Sequence, residues 1–182
     1  MRADAQRNRE RLLDAAVNAF TTEGPEVTLE SVAKAAGVGI GTLYRHFPTR
    51  EALVEAAYRN ELSRLCDAAP ELAATLSPDK ALRAWMDRFL DYMTTKHGMA
   101  DALRAVIASG GNPYAHSRDR MIAALAQLLA AGIDAGLIRA DLTADDVLVG
   151  LSGITFAAGK PEQRAQAGRL LDLLIDGLRS QS

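Results

Sequence analysis

The sequence predicts an all-α protein of about nine helices, and three observations support this prediction. Apolar residues recur at i, i+3, i+4 and i+7 in segment after segment, which is the spacing of one helix face. Clusters of Gly and Pro interrupt these segments, as at residues 109–113. Several segments are also preceded by a residue typical of helix starts, namely Thr28, Ser77 or Thr143.

Length, composition and charge exclude several classes of protein. The 182 residues are 48% hydrophobic and 24% charged, which is enough apolar material for one or two folded units. The formal net charge is −2, so the chain as a whole is not a basic nucleic-acid binder. Up to Arg50 the balance is +1, so any phosphate contacts in this part come from a few placed residues.

The cellular compartment is predicted from cysteine usage and hydropathy. Cys66 is the only cysteine, which excludes an intrachain disulfide and a cysteine-rich metal cluster. Charges break the apolar stretches before they reach membrane-spanning length, and the first residues lack the apolar core of a signal peptide. We therefore expect a cytoplasmic protein without a membrane partner.

The first helix is predicted over residues 4–22. Gly24 and Pro25 end it, and apolar residues at helical spacing form its buried face. The residues of this face are Leu12, Ala15, Ala16, Ala19 and Phe20. The leading end is basic, with Arg7, Arg9 and Arg11, and solvation alone accounts for such an end.

Two short helices are predicted on either side of a glycine-rich turn. In the first of them, Leu29, Val32 and Ala36 lie on one amphipathic stripe, and Thr28 is placed to cap it. Gly37 suits the left-handed backbone position that commonly ends a helix. Two short helices joined in this way form a helix-turn-helix, although a helical hairpin with no nucleic-acid role has the same periodicity.

The second short helix presents polar side chains on one face. Ile40, Leu43 and Phe47 stand at i, i+3 and i+7 and are predicted to be buried. The remaining side chains carry hydroxyl, phenol, guanidinium and imidazole groups, which are the donor types that reach phosphates and base edges. These residues are Thr42, Tyr44 at the border of the two faces, Arg45 and His46. The second helix of a helix-turn-helix enters the DNA major groove.

This part of the chain resembles the N-terminal domain of the TetR family of bacterial transcriptional regulators. The resemblance rests on LESVAKAAGV at residues 29–38, GTLYRHF at 41–47 and REAL at 50–53, and it covers about the first third of the chain. Gly39 stands where the family usually has Ser, so the second short helix, which is the recognition helix of the family, is expected to lack a side-chain cap. Arg50 stands where the family usually has Lys, which keeps the positive charge.

The resemblance implies that the recognition helix binds double-stranded operator DNA and that the basic end of the first helix lies near the DNA backbone. The implied DNA-binding residues are Thr28, Gly39, Ile40, Thr42, Tyr44, Arg45, His46 and Arg50. Four of them are expected to hold phosphates, namely Thr28, Tyr44, His46 and Arg50. Thr42 and Arg45 are expected to read bases, and Ile40 to make an apolar base contact.

The sequence predicts two domains joined by one long helix. Pro48 ends the recognition helix, and Thr49 is placed to cap a fourth helix that runs to roughly Ala69. We predict a helix-turn-helix DNA-binding domain at residues 1–50 and an effector-binding and dimerisation domain at 51–182. No flexible linker separates them, so a tilt of the connecting helix would move the recognition helix.

Three further helices carry apolar stripes rich in Met and aromatic residues. The first starts at Ser77 and Pro78, and the third ends at Gly136 with Leu137 as its hydrophobic companion. Such stripes usually form core, but they can also enclose a cavity, and in the TetR family this region commonly holds a small-molecule effector. We expect a mostly apolar effector, with candidate pocket residues Trp85, Met86, Phe89, Tyr92, Met93, Met99, Leu103, Ile107, Met121 and Leu125.

The last two helices are predicted to form a homodimer interface. Thr143 caps the first of them, and residues 159–161 separate it from the second. Their apolar surface exceeds what one-sided burial requires, although burial within the monomer is the alternative. The predicted interface residues are Val147, Leu151, Ile154, Leu171, Leu174, Ile175 and Leu178. The family resemblance likewise implies a two-fold interface of four helices.

No motif in the sequence indicates catalysis, a cofactor or a metal site. His116, Ser117 and Asp119 lack a nucleophile elbow and an oxyanion loop, and no phosphate-binding glycine loop or metal-ligand spacing is present. We therefore expect a dimeric transcription factor without enzymatic activity, which represses from a palindromic operator until its effector binds. The alternatives are an activator of the same build, and a helical carrier or enzyme with a vestigial helix-turn-helix.

Overall fold

Nine α-helices and two short 3-10 turns make up the regular structure of the described residues. The computed structural model describes residues 2–180, apart from the side chains of residues 2, 3 and 25. The prediction of an all-α fold is confirmed. The helices are α1 (Arg2–Thr22), α2 (Leu29–Ala35), α3 (Ile40–His46), α4 (Arg50–Thr75), α5 (Pro78–Gly98), α6 (Ala100–Ala108), α7 (Ser117–Asp134), α8 (Ala144–Ala158) and α9 (Arg164–Leu178).

The chain packs into two compact units. The first contains Met1–Glu61 and Thr95–Ala115, and the second contains Leu62–Thr94 and His116–Ser182. Helices α4 and α5 therefore each contribute residues to both units. The predicted DNA-binding domain at residues 1–50 and effector-binding domain at 51–182 are functional units, and this division stays a prediction.

The core of the first unit forms around α1. Leu12, Ala16 and Phe20 are buried as predicted, and Leu13 is buried as well, because the apolar face of α1 contacts both α2 and α3. Helix α6 packs against the 3-10 turn at Gly24–Glu26. The two short helices therefore rest on a common apolar support.

The Thr95–Ala115 segment belongs to the first unit through close contacts. A Cβ atom at Gly98 would lie 2.5 Å from Thr21 Cγ2, so these residues approach closely only because residue 98 has no side chain. The Tyr114 ring meets the buried Tyr58 ring edge-on at 5.4 Å, and Lys96 Nζ lies 4.7 Å from the Tyr114 centroid. Burial lowers the pKa of the Lys96 ammonium group and raises that of the Tyr114 phenol.

Helix α4 is longer than predicted. It continues to Thr75, six residues beyond the predicted end at Ala69, with Pro70 inside it. Proline removes one backbone donor and normally ends or kinks a helix. Here Ala69 and Leu72 are buried, so continuing the helix places further apolar surface in the core and offsets the lost hydrogen bond.

The end of α7 follows the predicted motif with a different apolar residue. Gly136 has a φ of +69°, and Leu137 N–H donates to Gly132 O at 2.9 Å. The predicted companion Leu137 is 40% exposed, and that prediction is wrong. Ile138 is buried against Gly132 in its place, because its segment forms an isolated antiparallel bridge to Arg179.

Helices α8 and α9 complete the second unit. The predicted cap of α8 is confirmed, since Thr143 Oγ1 accepts from Asp146 N–H at 3.2 Å and Asp146 Oδ2 accepts from Thr143 N–H at 2.9 Å. The Thr143 hydroxyl also donates to Asp146 Oδ2 at 2.6 Å, and this bond, together with the one from Thr143 N–H, holds the pKa of Asp146 below its usual value. Helix α8 packs against both α7 and α9. Within residues 2–180, no helix is long and apolar enough to cross a membrane.

Candidate nucleic-acid interface

Helix α2 and the turn after it have the predicted local structure. Thr28 Oγ1 accepts a hydrogen bond from Ser31 N–H at 3.1 Å, which caps α2. Gly37 has a φ of +66°, and its N–H donates to Lys34 O at 3.0 Å. Val38 N–H donates to Ala33 O at 3.0 Å, which completes the helix-ending motif.

The backbone conformation favours glycine at position 37. Its positive φ lies in the left-handed region, which side chains disfavour. The guanidinium group of Arg11 lies where a Cβ at this position would be, although this flexible side chain can move aside. The basic end of α1 is thereby placed directly over the turn of the helix-turn-helix.

Helix α3 is anchored from below by two buried side chains. Leu43 and Phe47 are buried as predicted, whereas Ile40 is only half-buried. Gly39 occupies the N-cap position and makes no side-chain hydrogen bond there, which confirms the expected absence of a cap. Because Ile40 is half-buried, it retains accessible apolar surface at the start of α3.

The outer face of α3 has graded exposure. Tyr44 and Arg45 are exposed, whereas Thr42 and His46 are half-buried. Arg45 Nε donates to Gly41 O at 3.1 Å, so its stem lies along its own helix. A hydroxyl, a phenol, a guanidinium and an imidazole group thus share one short helix. Their assignment as DNA contacts stays a prediction.

Arginines near α3 make contacts within the first unit. The Arg50 guanidinium carbon lies 4.7 Å from the centre of the Phe20 ring, and Arg50 Nη1 donates to Val27 O. The Arg9 guanidinium carbon lies 5.5 Å from the Phe47 ring centre. Sequence spacing gave no sign of these contacts, because each joins residues at least 23 positions apart.

The predicted effector residues divide between the two units. Of those in the second unit, Trp85, Met86, Phe89, Tyr92 and Leu125 are buried, while Met93 and Met121 are half-buried. In the first unit Met99 and Leu103 are buried. Ile107 is 47% exposed, so its predicted place on the buried stripe of α6 is wrong. The buried face of α6 consists of Ala102, Leu103 and Val106, and Ile107 lies outside it.

The buried aromatic residues of α5 form a continuous row. The Trp85 and Phe89 rings stack with centroids 5.9 Å apart, and the Phe89 and Tyr92 centroids are 6.4 Å apart. Trp85 Nε1 donates to Leu65 O at 2.9 Å, so the indole N–H is satisfied within the second unit. Whether this row lines an effector cavity stays a prediction.

The exposed apolar residues of α8 and α9 differ from the predicted interface set. Val147, Leu151, Leu171, Ile175 and Leu178 are buried within the chain, and Ile154 and Leu174 are half-buried. The exposed apolar side chains of the same helices are Val149, Phe156 and Leu173, which are 54%, 93% and 69% exposed. Five of the seven predicted residues therefore belong to the core, because α7 and the α8–α9 contact already cover them.

The exposed side chains lie on regular helix faces. Val149, Gly153 and Phe156 stand at i, i+4 and i+7 of α8, and all three are exposed. Leu170 and Leu173 lie beside an open groove of about 450 Å³ along α9. A Cβ at Gly153 would meet no atom within 4 Å, which leaves room for another helix to approach. Phe156 was missed by sequence analysis, although its i+7 spacing from Val149 was a usable signal.

No side-chain cluster suited to a metal ion occurs in the described residues. Within residues 2–180, no group of three or more His, Cys, Asp and Glu side chains is placed to hold one. Cys66 is half-buried, and burial raises the pKa of its thiol. The thiolate form that reacts as a nucleophile is therefore disfavoured at this position.

Two segments of the chain match known families. Residues 12–57 match the tetR family of bacterial regulatory proteins, and residues 77–180 match the C-terminal domain of SbtR-like transcriptional regulators. An HTH-type transcriptional regulator from Staphylococcus aureus strain USA300 is 44% identical over 54 residues. This match covers 29% of the chain and 29% of the relative, so the chain matches less than a third of the length of these curated relatives.

Solved structures match over almost the whole chain. A TetR transcriptional regulator from Streptomyces coelicolor has a TM-score of 0.92 and 57% identity, and the alignment covers 96% of this chain and 99% of that one. A TetR transcription regulatory protein from Mycobacterium vanbaalenii has a TM-score of 0.80 and 34% identity, and covers 98% and 99% of the two chains.

Proposed function

The chain belongs to the TetR family of bacterial transcriptional regulators, and from this premise we propose that it is a homodimeric repressor which a mostly apolar small molecule releases from DNA. The observation that carries the proposal is the build of α3. Its apolar side is fixed by Leu43 and Phe47, while hydrogen-bond donors lie on the accessible side.

In this proposal α3 enters the major groove of the operator. Thr42 and Arg45 contact base edges, and half-exposed Ile40 contacts a base through its apolar side chain. Thr28, Tyr44 and His46 hold phosphates, and the bare backbone at Gly39 approaches the DNA closely. A few such contacts agree with the small positive balance of the first 50 residues.

Dimerisation in this proposal uses the exposed face of α8 and α9. Leaving a ring such as that of Phe156 in water forgoes about 1.5–3 kcal/mol of burial free energy. Val149 and Gly153 lie on the same face of α8 as Phe156, Leu173 is exposed on the adjacent helix α9, and a second copy presents the same residues. A two-fold pair would place its two α3 helices in successive major grooves of a palindromic operator, about 34–36 Å apart or a multiple of this distance.

The effector is proposed to bind among the apolar side chains of α5 and its neighbours. Buried aromatic and Met side chains in this region favour an apolar ligand. The effector would favour a dimer arrangement in which the spacing of the α3 helices no longer fits the operator. It can shift the equilibrium only by its differential affinity for the two arrangements.

Selection from a random duplex library tests DNA binding and dimerisation together. The purified protein should enrich a palindrome whose half-sites are separated by about 10 base pairs or a multiple. Sedimentation should give the mass of a dimer, both alone and on the selected duplex. A monomeric protein that enriches no duplex even at about 50 mM salt would contradict the proposal.

The effector and the sign of regulation need separate experiments. In a thermal-shift screen of apolar metabolites, a compound that raises the Tm should also lower affinity for the selected duplex. A compound that raises the Tm while leaving DNA affinity unchanged would argue against effector-controlled release. In a reporter strain with the selected duplex overlapping a promoter, repression should be relieved by the same compound, whereas an activator would raise expression.

A further inference from the structure

Arg50 contacts two buried groups of the first unit. Its guanidinium group lies over the face of Phe20, with 4.7 Å between the guanidinium carbon and the ring centre. Its Nη1 donates to the carbonyl oxygen of Val27. Phe20 and Val27 are both buried, and Arg50 itself is half-buried. The side chain is therefore packed against the interior of the first unit.

These contacts join the segments that flank the helix-turn-helix. Phe20 lies near the end of α1, and Val27 directly precedes Thr28, the cap of α2. Arg50 is the first residue of α4. Only residues 47–49 separate α3 from α4, so the place where α4 begins also sets the end of α3. The Arg50 side chain, which follows the end of α3 closely in sequence, thus contacts both α1 at Phe20 and the residue before the cap of α2 at Val27.

We propose that Arg50 is a positioning residue for the recognition helix. This inference rests on the proposed DNA-binding function. Stacking on Phe20 and the Nη1 hydrogen bond to the Val27 carbonyl oxygen hold the side chain in place, and losing the guanidinium group would deprive that oxygen of this donor. The planar fork of Arg can stack on a ring and donate in its plane at the same time, whereas the point charge of Lys cannot.

The two roles predict different DNA-binding behaviour. Loss of one phosphate contact in each subunit weakens binding to every duplex and lowers the slope of log K against log salt by about 1.8 for the dimer. Loss of a positioning contact misaligns α3, so base contacts weaken while phosphate binding to unrelated duplexes is retained. The ratio of specific to non-specific affinity therefore separates the roles, and a general loss of stability does not change it at a temperature where the protein is folded.

The variants R50M and R50K test the proposal. R50M keeps an apolar stem on Phe20 without the donor or the charge, and R50K keeps the charge. Circular dichroism melts first identify a temperature at which both variants are folded. Binding to the duplex selected by the wild-type protein, and to a scrambled duplex of equal length, is then measured by fluorescence anisotropy over a salt series. R88M, which removes an exposed cation of α5, is the matched control.

Positioning by Arg50 predicts a loss of selectivity in both variants. Affinity for the selected duplex should fall about tenfold, while affinity for the scrambled duplex changes less than about twofold and the salt slope is unchanged. Wild-type affinity in R50K together with a salt slope lower by about 1.8 in R50M would overturn the proposal, and so would unchanged selectivity in both variants. If the wild-type protein binds no duplex, the proposed function fails first, and this role fails with it.

Discussion

Helix α3 and the α8–α9 pair differ in what their outer faces offer to a partner. Helix α3 buries Leu43, is followed by the buried C-cap residue Phe47, and exposes Tyr44 and Arg45, so its outer side is polar. Helices α8 and α9 bury apolar side chains on the inner side but also expose Phe156 and Leu173 on the outer side. The first surface matches a charged, hydrated partner, and the second matches an apolar one.

This difference bears on which association can be reversible. Polar donors on α3 are hydrated when no partner is present, so DNA can dissociate without leaving apolar surface in water. An exposed Phe ring forms no comparable hydrogen bonds with water, so separating two copies that bury it would be unfavourable. We therefore expect DNA binding by α3 to be controlled by salt and effector, and pairing through α8 and α9 to persist throughout.

The largest expected effect comes from the inner side of α9. Leu171→Ala creates a cavity at a fully buried position and should lower the free energy of unfolding by about 2–5 kcal/mol, measured by urea denaturation. Leu173→Ala is the matched comparison, two residues away on the exposed side, and should lower the free energy of unfolding by clearly less, because only its contact with the second copy would be lost. Equal losses in both variants would remove the distinction between the two sides.

Phe156→Glu tests the outer side of α8. A carboxylate at the centre of an apolar contact between two copies should dissociate the dimer, because both charges would be desolvated. Sedimentation should then give a monomer, and affinity for the palindromic duplex should fall about a hundredfold as the second α3 is lost. The monomer should stay folded, since this ring is exposed in one chain, but its Tm should be lower than that of the dimer and independent of protein concentration. A stable dimer in this variant would exclude the face defined by Phe156.

Arg45→Ala tests the outer side of α3. Removing a base-reading guanidinium should cost about 1–3 kcal/mol of affinity and relax preference at one position of each half-site. A repeat of the library selection with the variant measures this change in preference. Arg88→Ala, on α5, should leave the selected sequence unchanged. Intact preference after Arg45→Ala would mean that Arg45 is not a base reader.

The smallest expected effect is at the start of α3. Gly39→Ser supplies the missing cap hydroxyl and should raise the free energy of unfolding by a few tenths of a kcal/mol. Gly39→Ala, which adds bulk without a hydroxyl group, should not stabilise the protein. Chemical denaturation of both variants gives the comparison. Stabilisation by Ala would show that the gain comes from reduced backbone freedom and not from capping.

The local structure of the helix-turn-helix could be predicted because its determinants are close in sequence. Thr28 caps α2 through a residue three positions away, and Gly37 ends α2 through hydrogen bonds to the preceding turn. The capping box of Thr143 and Asp146 is equally local. Long-range contacts gave no such signal, so the packing of Arg50 on Phe20 and the continuation of α4 past Pro70 were not predicted.

The sequence by itself determined an all-α chain, the order of its nine helices across the described residues, and a short helix with a polar outer face. Hydrophobicity and spacing are sufficient for this, because both act within a few residues. Only the tertiary structure decided which apolar residues of α8 and α9 remain exposed. Leu171 and Leu173 are chemically identical, and the neighbouring helices cover only Leu171. Coverage depends on how distant segments pack, and residue type does not encode it.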